Sequence, residues 1–167
     1  MTRFIIQSVF ILVSLTIAYY TAAGIRFEQV KEVLSTLQNI SAAVFTLAGI
    51  WIAYIYPEAI AAFTNPKKVS LIKGSEKTKR IEKLVLIILT SAFVLVTILL
   101  FNLSYMLLKN ASVVIEYKEA LKILSVGLII FVSLNQIKAI LAVMVNNIEF
   151  VNELHKNKTE QEANDEL

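Results

Sequence analysis

Four apolar stretches, at residues 4–23, 40–60, 84–108 and 121–145, occupy most of this 167-residue chain. A hydrocarbon core about 30 Å thick is crossed by about 20 helical residues, and each stretch reaches that length. The apolar residues make up 57% of the chain, and the mean hydropathy is +0.69. A soluble domain is about 45–50% apolar, so a chain of this composition folded in water would leave long apolar faces uncovered. In lipid those faces are solvated, and a helix satisfies its own backbone. The fold class expected is all-α: a polytopic integral membrane protein with four transmembrane helices, assembled as a homo-oligomer. Residues 1–156 form the transmembrane domain, with the fourth helix extended past the bilayer. Residues 157–167 form a polar, acidic tail that is expected to fray.

Charge distribution sets the expected topology. Lys67, Lys68, Lys73, Lys77, Lys79, Arg80 and Lys83 crowd the connection between spans 2 and 3, against only Glu76 and Glu82. In the other connections Arg26 and Lys31 face Glu28 and Glu32, and Lys109, Lys118 and Lys122 face Glu116 and Glu119. The positive-inside rule puts the 65–83 loop in the cytoplasm, and four spans then put both termini there. Arg3 ahead of span 1 agrees. Span 1 also has the parts of a signal peptide, with Arg3, an apolar run and Thr21-Ala22-Ala23, although Tyr19 and Tyr20 sit awkwardly beside that site.

Local signals divide the chain further. Phe27, Val30, Val33, Leu34 and Leu37 recur at helical spacing between charged residues, which predicts an amphipathic interfacial helix over 27–39 leading into span 2. Asn39 and Ser41 are expected to cap that span. Trp51, Tyr54 and Tyr56 form an aromatic belt at its far end. Pro57 breaks or kinks the helix, residues 58–63 lie along the inner surface, and Asn65-Pro66 and Gly74-Ser75 punctuate the basic loop.

Span 4 carries the sharpest functional signal. At about 100° per residue, Asn135, Lys138, Ala142, Asn146, Glu149, Glu153 and Lys156 fall on one stripe about 80° wide. Ionisable residues inside a span usually face water or the bundle interior. In an oligomer, Asn135, Lys138 and Asn146 would line a pore, with Glu149 and Glu153 at an acidic vestibule. The competing reading has Lys138 snorkelling to the headgroups. Asn135 and Gln136 lie a turn deeper, with no headgroup in reach, so they require partners. On span 2, Ala42, Thr46, Gly49 and Ala53 make a small-residue face for helix packing, within one subunit or between subunits.

Chemistry is otherwise sparse. The chain has no cysteine and one histidine, His155, in its polar end. No metal, cofactor, nucleophile or paired-acid pattern is present, so no enzyme is expected. The basic loop suits anionic lipid headgroups or another anionic ligand. Together with the helix 4 extension it also suits a cytoplasmic protein.

The layout of four spans, a basic loop from Lys67 to Lys83 and a polar tail at 157–167 resembles the small four-span bacterial membrane proteins of antiphage and exclusion systems. The lambda Rex membrane protein and the Kiwa membrane subunit are of this kind. The resemblance lies in the arrangement and carries over no functional residue. It implies either a membrane effector that leaks ions once activated, or a membrane sensor that docks a cytoplasmic partner. Two functions are therefore expected. One is an oligomeric channel or depolarising effector of about four or more subunits, since four spans enclose too little water alone, gated by a cytoplasmic ligand or protein. The other is a non-conducting sensor or anchor for a soluble protein.

Overall fold

The computed structural model describes residues 2–55 and 76–165, and every element among them is helical. Helix α1 (Thr2–Thr21) ends in a 3-10 turn, Ala22–Gly24. Helix α2 (Phe27–Ile55) follows, then α3 (Glu76–Leu108), a short α4 (Ser112–Glu116) and α5 (Lys118–Asp165). Helices α1, α2, α3 and α5 are long and apolar enough to cross a membrane. The expectations on Tyr56, Pro57, residues 58–63, Asn65-Pro66, Lys67, Lys68, Lys73 and Gly74-Ser75 lie outside the described residues.

Three boundaries differ from those expected, each because nothing in the sequence stops the helix. Residues 27–39 are not a separate surface helix but the first part of the 29-residue α2. No Gly or Pro separates them from span 2, and the apolar phase of Val30, Leu34 and Leu37 continues through Val44 and Ala48. Asn39 and Ser41 are therefore mid-helix, and Ser41 is fully buried rather than a cap. The helix start lies at Phe27, where the Arg26 N–H donates to Gln29 Oε1 at 2.9 Å. Glu28 in the first turn suits the positive end of the helix dipole. The last part of the basic loop, 76–83, is the first two turns of α3. The acidic tail does not fray at 157: α5 runs on to Asp165, with a Lys158–Glu162 pair at 3.6 Å on its surface. At about 1.5 Å per residue, the 48 residues of α5 span about 72 Å, more than twice a hydrocarbon core.

Helices α2, α3 and α5 form a three-helix core, and α1 lies along α5. Buried positions on α2 (Leu34, Leu37, Ser41, Val44, Ala48) and on α3 (Leu84, Ile87, Ser91, Val94, Ile98) alternate by three and four, the spacing of interdigitating helices. One apolar cluster joins Leu34, Leu37, Val94, Ile98, Ile129 and Val132. A second joins Val44, Ala48, Leu84, Ile87 and Ala139. A third ties Ala18 and Ala22 to Val126. Most other large apolar side chains face outward, as lipid contact requires.

Aromatic and charged contacts close the two ends. At one end Phe27 stacks on Tyr105 with ring centroids 4.4 Å apart, Lys31 lies 5.0 Å over the Phe27 ring, and Lys122 Nζ donates to the Ala23 carbonyl at 3.2 Å. At the other, Trp51 meets Phe150 edge to face at 5.4 Å, and Lys83 pairs with Glu149.

Candidate functional site

The polar residues of α5 are the place to look for function, and the fold sorts them into different environments. Asn135 is 4% exposed. Its Oδ1 accepts from Gln7 Nε2 of α1 at 2.8 Å, and its Nδ2 donates to the Phe131 carbonyl at 2.9 Å. Gln7 is 128 residues from Asn135 in sequence and meets it because α1 packs antiparallel along α5. The same register sets Leu15 and Ala18 against Gly127. Hydrogen bonds between membrane helices contribute about 0.5–2 kcal/mol.

Lys138, three residues on, is exposed on the outer surface of the bundle. Asn146 returns to the interior at 3% exposure, with its Oδ1 unpartnered. Glu149 receives Lys83 Nζ at 3.1 and 3.3 Å on its two oxygens. Both side chains are about half open to solvent, so screening limits the pair to about 1 kcal/mol or less. Glu153 falls on the following turn of α5. The chain thus brings Asn135 to α1 and Glu149 to α3, and leaves Lys138 outside.

The remaining expected site residues lie elsewhere. Ala42, Thr46 and Ala53 are exposed on the flank of α2 away from the core, and a Cβ built on Gly49 meets nothing within 4 Å. Among the described residues nothing covers this small-residue face. Among the basic residues, Lys77, Lys79, Arg80 and Lys83 fall on the first turns of α3. Lys83 is tied to Glu149.

Two features escaped the reading of the sequence. The first is the close approach of α1 to α5. Ser14, Ala18 and Ala22 repeat every fourth residue and are buried. A Cβ on Gly127 would stand 3.2 Å from Leu15 Cδ2 and 3.6 Å from Ala18 Cβ. The small-xxx-small signal used for span 2 is present here too and marks the contact the chain makes with itself. The second is a buried polar layer. Gln136 is 1% exposed with neither amide atom partnered, and the hydroxyls of fully buried Ser41 and Ser91 are likewise unpartnered. Each such group costs about 1–3 kcal/mol if left unsatisfied.

A groove of about 350 Å³ opens between the start of α2 and α5, lined by Ile25, Val30, Val33, Val126, Ile130 and Leu134 among others. It is almost wholly apolar, with no polar set suited to chemistry. No family model matches the chain, and no curated protein or solved structure matches it either.

Proposed function

We propose that the protein is a membrane-embedded anchor or sensor that presents the end of α5 to a soluble protein. The observation that carries this reading is the continuation of α5 as one helix past the Lys83–Glu149 level to Asp165. Ile148 and Val151, on the turn that carries Glu149, are exposed at 59% and 49% where this projection begins. Apolar side chains three apart on a projecting helix form a seam of the kind that helix-binding partners cover. The internal pairing of Asn135 and Glu149 supports the same reading, since polar groups engaged inside one chain are not on hand to line a passage between chains.

Orientation completes the proposal. Positive-inside weighting places the projecting end of α5 and the basic 67–83 segment together in the cytoplasm of a bacterial cell, with the inner membrane as the host bilayer. The anionic or protein ligand expected at that segment would then meet α5 on the same face.

A second reading, the oligomeric channel, is favoured by one observation: the uncovered Ala42, Thr46, Gly49 and Ala53 face of α2. A second copy approaching there would assemble α2 helices, and the resemblance to antiphage effectors would then extend to ion leakage.

One pair of measurements separates the two. The purified chain in a planar bilayer is expected to add no unitary conductance over protein-free lipid. Full-length protein, cross-linked in native membranes, is expected to retain a cytoplasmic protein that Val151→Asp releases. Unitary currents altered by Asn135→Leu or Lys138→Leu would instead establish the channel and overturn the anchor reading.

A further inference from the structure

Hydroxyls in apolar helices have an easy partner, the carbonyl one turn back. Thr16, Thr21, Thr90 and Thr97 all use it, donating to Leu12, Ile17, Leu86 and Phe93 at 2.8 Å. Ser133 does the same to Ile129 at 2.7 Å. Ser41 and Ser91 do not: both are fully buried, and both hydroxyls lack a partner. Gln136 has no such local option open to both ends of its amide, and it too is buried and unpartnered at Oε1 and Nε2.

These three residues share one level of the bundle. Ser41 lies between Leu37 and Val44, Ser91 between Ile87 and Val94, and Gln136 between Val132 and Ala139. On every one of the three helices, the residues to one side belong to the Leu34–Val132 cluster and those to the other side to the Val44–Ala139 cluster. The polar side chains therefore mark the junction of the two apolar clusters, one from each core helix. Counting from Trp51, Lys83 and Glu149, the junction is 10, 8 and 13 residues in, or about 12–20 Å along the helices, near the middle of the apolar spans.

We infer that the Ser41, Ser91 and Gln136 junction is an internal hydration site, holding ordered water at mid-depth of the bundle. Water fits the donor set. Two hydroxyls and one carboxamide offer both donors and acceptors, and a buried water needs about two to four polar partners. A dehydrated cation does not fit, because Ser41, Ser91 and Gln136 are all neutral and no acidic residue lies within four positions of any of them in sequence to neutralise it. The site is distinct from the Gln7–Asn135 bond, in which Gln7 Nε2 donates to Asn135 Oδ1 across α1 and α5.

The test is water-to-protein magnetisation transfer by magic-angle-spinning NMR, on the full chain in liposomes with deuterated acyl chains. Five glutamines are present, and the Gln136 side-chain amide is assigned by sequential connectivity in the unmodified chain, so no variant need fold for the first reading. A direct water cross-peak to the Gln136 amide protons is the expected result. Contact of that amide with serine hydroxyls or methyl groups alone, with no water transfer, overturns the inference. The second arm uses Ser41→Ala and Ser91→Ala, small changes in a packed core. Each is expected to reduce the cross-peak by half or more while the backbone shifts of Val44 and Val94 hold. A cross-peak unchanged in both variants would mean the water is held elsewhere, which also overturns it.

Discussion

Removing the Asn135 amide would strand Gln7. The two side chains share a 2.8 Å hydrogen bond inside the bundle, and Gln7 Oε1 is already buried without a partner. Asn135→Leu therefore takes away the bond and leaves a whole carboxamide facing an apolar wall. The expected cost is about 1–3 kcal/mol, read as a shift in the midpoint of denaturant unfolding in mixed micelles. Gln7→Leu is expected to cost a similar amount. The double variant, with two apolar side chains in place of two amides, should lose less than the sum of the singles by about 0.5–2 kcal/mol. Strict additivity would show that the two amides do not depend on one another. Gln136 sits next in sequence with the same chemistry, yet faces the α2–α3 side of α5 and finds no protein partner. A shift of one residue, about 100° around the helix, separates the two fates.

At the scale of elements, α1 is held to the rest mainly through α5, and the contact depends on small residues. Gly127 sets the spacing. An alanine there meets the flexible tip of Leu15 at 3.2 Å and can be accommodated, whereas Gly127→Leu would wedge the helices apart. The chain has no cysteine, so the geometry can be read by cross-linking. A Cβ at position 127 lies 3.6 Å from Ala18 Cβ, within the about 3.5–4.5 Å of a disulfide. The Ala18→Cys/Gly127→Cys variant is expected to oxidise nearly completely in membranes, and reduced mobility change on gels would report it. Failure to oxidise would mean that α1 does not pack on α5 in this register. Much of the architecture was legible from the residues alone: the four spans, the long α5 and the polar stripe all follow from apolar length and helical phase. The partner of each helix was not, because in lipid an apolar face carries no information on whether it meets a neighbour or an acyl chain. The stripe from Asn135 to Glu153 is one face by angle, but its residues meet different neighbours: Asn135 is bonded to α1, Lys138 is open and Glu149 is ion-paired with α3. Ser41 reads as a cap only if a helix begins at 40. The absence of any Gly or Pro between Phe27 and Ser41 is the signal that it does not.

For the whole molecule, the asymmetry in basic residues between its two ends predicts how it sits in a membrane. The stretch from Lys67 to Lys83, which runs from the α2–α3 connection into the first turns of α3, carries seven Lys and Arg residues, and Arg3 lies at the same end of the bundle. The opposite end has five, Arg26, Lys31, Lys109, Lys118 and Lys122, of which Lys122 is held on the Ala23 carbonyl. Topology follows the count of basic residues near span ends rather than the net charge, so the difference favours the α2–α3 connection facing the cytoplasm even though acidic residues crowd the end of α5. The antiparallel packing of α1 on α5 then obliges Thr2 and Asp165 to share that side. Single cysteines in the cysteine-free chain test this directly. Tyr117→Cys, exposed beyond α4, is expected to react with a membrane-impermeant maleimide in intact spheroplasts, and His155→Cys only after permeabilisation. The reverse pattern would invert the protein and take the projecting helix away from any cytoplasmic partner. Labelling of both sites from outside would mean that α5 does not cross the bilayer, and the four-span arrangement itself would have to be abandoned.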